Sequence, residues 1–263
     1  MFRRQFLIGV GATLVTAGLT ESCGGSPTAP GGVTPPPQPP PEPPPPPPTP
    51  PPGLSIGRIL AFGDSMTAGT TSPVVMFRAL DAGLAQSYPF KLQTLLTTRY
   101  SAQTVEVFNS GKPAERATDG RNRLGGVLSE ANPQLVILME GANDLNNLAV
   151  GSTNVSPAVG AMEDMVRESA GRGAQVIVAT IPQQRPGMPN TRQADLVPKY
   201  NNELKQMATK KDAILVDVNT LLPLSMIGQD GLHPTEAGYK AIAEIFLDVI
   251  KSRYEISPTT ASR

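Results

Sequence analysis

The chain has 263 residues, with 22 Lys plus Arg against 22 Asp plus Glu, one His, one Cys, no Trp and 29 Pro. Zero net charge leaves no general field to hold a polyanion, so nucleic acid is not an expected partner. One Cys beside one His excludes an intramolecular disulfide and the usual zinc site of three or four nitrogen and sulfur ligands, and any imidazole chemistry at neutral pH must use His233.

The first segment opens with Arg3 and Arg4 and continues into an apolar stretch from Phe6 to Leu19. That stretch is too short for the roughly 20 residues a helix needs to cross a bilayer, so residues 1–23 are read as an export signal. The Arg pair followed one residue later by Phe6-Leu7 resembles a twin-arginine export signal. Cys23, placed before Gly24-Gly25-Ser26, resembles a lipoprotein processing site, although Thr20, Glu21 and Ser22 depart from that pattern. Two outcomes stay open: lipidation of Cys23, giving a membrane tether, or simple cleavage and release. Both predict an exported protein, in the cell envelope or beyond it.

Residues 24–53 form a linker, because 17 of the 29 prolines fall between Pro27 and Pro52. Such a tract buries no apolar area to offset chain entropy. It favours extended polyproline II, which at ~3.1 Å per residue spans roughly 80 Å.

Residues 54–263 have the size of one α/β domain. Short, nearly all-apolar runs predict strands at 58–62, 104–108, 135–139, 175–181 and 213–218, covered on both faces. Longer segments with Pro or Gly punctuation predict helices at 88–100, 118–130, 157–171 and 191–211. In the last segment Tyr239, Ile242, Phe246, Val249 and Ile250 keep helical spacing from Pro234 to about Arg253, with Pro234 in the first turn. Strictly alternating strands and helices imply a parallel sheet with helices on both faces.

In such a sheet ligands collect beyond the carboxyl ends of the strands. Polar segments follow four of the predicted strands: Gly63-Asp64-Ser65-Met66, Asn109-Ser110-Gly111, Glu140-Gly141-Ala142-Asn143-Asp144, and Asp230-Gly231-Leu232-His233-Pro234. Together, in this order and with the sole His in the last, they resemble the SGNH (GDSL-type) esterase and lipase family. The resemblance spans essentially residues 56–253. It implies a three-layer αβα sandwich around a flavodoxin-like parallel five-stranded sheet, and hydrolysis of carboxylic or thioester bonds.

On that resemblance Ser65 matches the nucleophile, which needs an adjacent base because a free hydroxyl attacks poorly at pH 7. His233 matches that base, and Asp230, three residues earlier, matches the acceptor that fixes its tautomer. Gly111 and Asn143 match the oxyanion-hole residues, joined by the backbone N–H of Ser65; a glycine at 111 lets the backbone approach without a Cβ. His233 also precedes a helix read as starting at Pro234, so a capping role is expected beside the chemistry. Asp64 and Asp144 are read as carboxylates that accept backbone N–H bonds and hold their loops, and neither a metal nor a cofactor is called for.

Between Met66 and Tyr88, Val74, Val75, Met76, Phe77, Leu80 and Leu84 make either an apolar wall for an acyl chain or a small extra helix packed on the domain. The expected substrates are small-molecule, lipid or acetylated-glycan esters. A catalytically silent surface domain that binds a glycan or partner is the rival reading, and intact Ser65, Asp230 and His233 argue against it. A nucleotide- or flavin-binding domain is weaker still, since the loop after the first strand has neither G-x-G-x-x-G nor G-x-x-x-x-G-K-[ST].

Overall fold

The computed structural model describes residues 51–70 and 85–257. The signal reading and residues 24–50 of the linker reading, Cys23 included, therefore lie outside the described residues, as do Val74, Val75, Met76, Phe77, Leu80 and Leu84; Gly53, read as the last linker residue, instead pairs with Ile256 in the folded domain. Seven strands are described: β1 (Gly53–Leu54), β2 (Arg58–Gly63), β3 (Glu106–Gly111), β4 (Leu135–Met139), β5 (Gln175–Ala179), β6 (Ile214–Val216) and β7 (Glu255–Ile256). The helices are α1 (Ser65–Ala68), α2 (Tyr88–Arg99), α3 (Ala117–Ala131), α4 (Ala142–Asn146), α5 (Ser156–Gly171), α6 (Val197–Lys210), α7 (Val218–Leu221) and α8 (Glu236–Tyr254).

Strands β2 to β6 form one parallel sheet in the order β3-β2-β4-β5-β6. The all-apolar runs take the interior places. Every residue of β4 is buried, as are Ile59 to Gly63 of β2, because helices cover both faces there. The edge strands β3 and β6 are only partly covered, and they carry polar residues or are short.

Right-handed crossovers then fix the layers. The chain moves from β2 outward to β3, then reverses over β2 to reach β4 and continues in that direction. Helix α2 accordingly packs with α8 on one face, while α3, α5 and α6 pack in sequence on the other. This is the flavodoxin-like order, with its switch point between β2 and β4. Register brings the strand ends level there, since Gly63 pairs with both Gly111 and Met139.

The helices begin where sequence supplies caps. Ser87 accepts from the Phe90 N–H to start α2, with Pro89 in its first turn, and Tyr88, Leu92 and Leu96 then bury one face. Thr235 accepts from the Gly238 N–H to start α8, and Tyr239, Ile242, Phe246 and Ile250 line its buried face. Phe246 meets Tyr88 with ring centroids 5.1 Å apart, so this aromatic pair locks α2 to α8.

Four differences from the sequence reading have local causes. Strand β3 runs to Gly111, because parallel pairing with β2 continues through Asn109 and Ser110 despite their polarity. The helix read from 191 starts at Val197, after a 3₁₀ turn over Ala194–Leu196, since Pro198 fits only a first turn. Pro234 precedes the cap of α8 instead of sitting in its first turn, and Thr235, not His233, fills the capping role. Finally, β1 and β7 pair antiparallel as a two-stranded clip, too short to leave a pattern in sequence; Glu255 binds Arg99 Nε at 2.7 Å and accepts from Tyr100 Oη at 2.6 Å beside it.

Candidate active site

Ser65 stands one residue beyond Asp64, which follows the last residue of β2. Asp64 Oδ1 accepts from the Met66 N–H at 2.9 Å and caps the short turn α1, which fixes the backbone carrying Ser65. His233 reaches the same place from the loop before α8. That loop is tied down by Gly228 N–H donating to the His233 carbonyl at 2.8 Å and by Arg185 Nη2 donating to the Ile227 carbonyl at 2.8 Å.

The three side chains form a continuous line. His233 Nε2 lies 2.8 Å from Ser65 Oγ, and His233 Nδ1 lies 2.5 Å from Asp230 Oδ2. Asp230 Oδ1 accepts the N–H groups of both Leu232 and His233 at 3.0 Å. Burial works to raise the Asp230 carboxyl, but the bonds from the His233 imidazole and from these two N–H groups outweigh it and hold the carboxyl below its ordinary range. An ionised Asp230 only accepts, so the imidazole proton sits on Nδ1 and the Nε2 lone pair faces the Ser65 hydroxyl. Ser65 and His233 are each only 7% exposed, which shields this pair from bulk water.

Asn143 lies in the first turn of α4 and donates Nδ2 to the Glu115 carbonyl at 2.8 Å. The amide keeps a second N–H for a ligand. Gly111 ends β3 with its Cα turned onto α1, where any Cβ would come within 2.6 Å of the Ala68 Cα. Its N–H donates to Asn109 Oδ1 at 2.9 Å, so a bound oxyanion would share or displace that acceptor. Sequence reading placed Ser65, Asp230, His233, Gly111 and Asn143 at the carboxyl end of the sheet; in the structure Ser65, Asn143 and His233 line one cleft, Asp230 is bonded to His233, and Gly111 lies against Thr67 and Ala68 of α1.

The neighbouring carboxylates hold loops. Asp144 accepts from the Ala117 N–H at 2.7 Å and the Thr118 N–H at 3.3 Å, which supplies the cap that Arg116 does not give α3. Burial raises its carboxyl in spite of these bonds. Burial also pushes Asp64 up to about 7. Among the described residues no group of three or more His, Cys, Asp or Glu is arranged to hold a metal ion.

Three residues near the site escaped the sequence reading. Glu140 is fully buried, and burial first, then the charges of Asp64 and Glu115, push it up to about 9. Its signal was a carboxyl directly following an all-apolar strand. Glu115 and Arg123 form an ion pair at 2.5 Å beside Ser110, and nothing in their spacing marked them.

Ser65 and His233 open onto a cleft of about 430 Å³, lined also by Asn143, Asn146, Asn190 and Arg192. Arg192 is exposed at its rim and donates to the Asn146 carbonyl at 3.1 Å. The lining is mixed: its amides and one guanidinium can meet oxygen atoms of a ligand, and Pro113, Ala114, Pro189 and Leu232 add apolar surface beside them.

Residues 61–241 match the model of the GDSL-like Lipase/Acylhydrolase family. A multidomain esterase from Ruminococcus flavefaciens is 25% identical over 137 residues, a match covering 51% of this chain and 17% of that protein's length. A lipase/acylhydrolase from Enterococcus faecalis has a similar structure, with a TM-score of 0.62 and 22% identity over 78% of this chain and all of that one. Axe2, an acetylxylan esterase from Geobacillus stearothermophilus, is similar with a TM-score of 0.61 and 21% identity, covering 75% of this chain and 95% of its own. At such identities the structural likenesses establish the fold, and the family match spans most of the sequence that builds the cleft. The chain belongs to the GDSL-like lipase/acylhydrolase family of ester hydrolases.

Proposed function

We propose that this protein is an exported serine ester hydrolase that removes short acyl groups from polyhydroxylated alcohols such as acetylated glycans. The observation that carries the hydrolytic part is the line from Asp230 through His233 to Ser65, at 2.5 and 2.8 Å. Ser65 Oγ attacks the acyl carbonyl while His233 Nε2 takes its proton, and Asp230 stabilises the resulting imidazolium. The carbonyl oxygen becomes an oxyanion facing the free N–H of Asn143 and the backbone N–H groups of Ser65 and Gly111. His233 then passes its proton to the departing alcohol, leaving the acyl group on Ser65. Water, deprotonated by His233, attacks this acyl-enzyme and frees the carboxylic acid and the Ser65 hydroxyl.

The amides and Arg192 of the cleft support an alcohol half rich in hydroxyls. A similar structure from Sinorhizobium meliloti is described as a carbohydrate acetylesterase family member, with a TM-score of 0.62 and 18% identity, and it adds a parallel for such a substrate. Acetate release from acetylated xylan, measured beside fatty-acid release from lysophosphatidylcholine, tests the choice. Faster acetate release supports the glycan reading, and faster fatty-acid release replaces it with a lipid substrate.

Export rests on Arg3, Arg4 and the apolar stretch that follows them, and a tether through Cys23 rests on that residue's position before the proline-rich segment. Intact mass of membrane-fraction protein reads the tether directly: acyl chains on Cys23 support it, and their absence overturns it.

A further inference from the structure

Arg123 lies on α3, away from the Ser65–His233 pair, yet its guanidinium touches both limbs of the site's oxyanion-facing side. Nε donates to Glu115 Oε1 and Oε2 at 3.0 Å each, and Nη2 to Oε2 at 2.5 Å. Nη1 donates to Ser110 Oγ at 2.6 Å, and Nη2 also donates to the Ser110 carbonyl at 3.0 Å. The guanidinium carbon lies 4.0 Å from the ring centroid of Phe62, on the strand that leads to Ser65.

The groups so gripped are not arbitrary. Ser110 immediately precedes Gly111, and the Glu115 carbonyl is the acceptor that orients the Asn143 amide. The Glu115 side chain is 1% exposed and that of Arg123 25%, so the pair is sheltered and geometrically fixed. Lys112, the other cation on Glu115 at 3.3 Å, is 62% exposed and makes a looser contact. A planar fork with five donors on three nitrogens can grip a carboxylate bidentately and reach a neighbouring residue at the same time, a geometry that the single nitrogen of an ammonium does not reproduce.

We propose that Arg123 is a positioning residue for catalysis: by bridging Glu115 and Ser110 it sets the spacing between the Asn143 amide and the Gly111 backbone. The inference rests on the hydrolytic reading above and adds a residue to it. A displacement of about 1 Å in such donors costs on the order of 10²-fold in rate. Their misplacement affects the transition state more than the bound ester, so the loss falls on kcat.

The test is Arg123→Lys, which keeps the positive charge beside Glu115 and removes the fork. Turnover of p-nitrophenyl acetate should fall about 10- to 100-fold in kcat, with KM within twofold of the parent. A kcat within threefold of the parent overturns the proposal, because charge neutralisation alone would then suffice. The same substitution in an Asn143→Ala background should cost at least threefold less than in the parent, since part of its route to the oxyanion is gone; full additivity overturns the proposal. Should Arg123→Lys not fold, the double variant Arg123→Met with Glu115→Gln removes the whole bridge without stranding a buried charge, and it should lower kcat about 10-fold or more with KM within twofold of the parent; a kcat within threefold of the parent overturns the bridge. Each ratio refers to turnover that Ser65→Ala abolishes, so turnover surviving Ser65→Ala overturns the hydrolytic reading, while flat ratios overturn only the role of Arg123.

Discussion

The buried carboxyl group of Glu140 lies against Gly120 of α3, so closely that a Cβ at residue 120 would stand 2.6 Å from Oε2. Neither carboxyl oxygen has a hydrogen-bond partner among the described residues. Burial, followed by the charges of Asp64 and Glu115, raises this group to about 9, so it is protonated at neutral pH. The unfolded chain releases that proton near the ordinary carboxyl value, about 4.3. Between those values the folded state binds more protons than the unfolded one, and stability must therefore fall as pH rises. Asp64, raised to about 7, adds the same sign over the lower part of the window.

Glu140→Gln should remove the larger part of this dependence. Thermal midpoints of the parent protein should decline from pH 5 to 9, by the equivalent of about 1.4 kcal/mol per pH unit at most for one such group. The variant should decline less and be the more stable protein at pH 9. Parallel curves would mean that Glu140 ionises normally in the folded state.

Asp230→Asn should lower kcat by about 10⁴-fold with little change in thermal midpoint. An asparagine Oδ1 can still accept the Leu232 and His233 N–H groups that bind Asp230 now at 3.0 Å. Its amide, however, presents a donor to His233 Nδ1 and favours the tautomer with the proton on Nε2. Steady-state kinetics on any turned-over ester reads this, and near-parent turnover would mean that another group orients the imidazole.

Asn143→Ala should lower kcat by about 10²- to 10³-fold, the usual loss for one oxyanion donor. KM should change much less. A loss confined to KM would place Asn143 in ground-state binding instead.

Phe246→Ala should cost about 3 to 5 kcal/mol in chemical unfolding, because the ring is fully buried against Tyr88 and its removal leaves a cavity between α2 and α8. Turnover per folded molecule should stay near the parent value, since Phe246 does not line the cleft and Tyr88 keeps its contact with Thr67 Oγ1 at 3.4 Å. A cost under 1 kcal/mol would mean that the two helices close the gap.

The parts of this molecule that were legible in sequence are those with strong local signals. Buried central strands such as Leu135 to Met139 announce themselves as all-apolar runs, and helix α8 does so through the spacing of Tyr239, Ile242, Phe246 and Ile250. Ser65, Asn143 and His233 follow strands or precede helices, where polar residues after apolar runs stand out. The limits were equally physical. A two-residue clip such as β1 with β7 carries almost no pattern, and parallel pairing can recruit polar residues such as Asn109, while the predicted strand at 213–218 narrows to Ile214–Val216 at the sheet edge. Arg123 on a helix reads like any solvated cation, because its partners Ser110 and Glu115 are brought to it only by the fold. Glu140 has no role in the sequence reading, and only the packing of α3 on the sheet, with Gly120 against its carboxyl group, shows it to be buried.

The most direct measurement is release of p-nitrophenol from acetyl, butyryl and octanoyl esters by the purified protein beside its Ser65→Ala variant. The account predicts turnover in the parent, fastest on the acetyl ester, and none above background in the variant. Turnover that survives Ser65→Ala, or a folded parent inactive on all three esters, would contradict it.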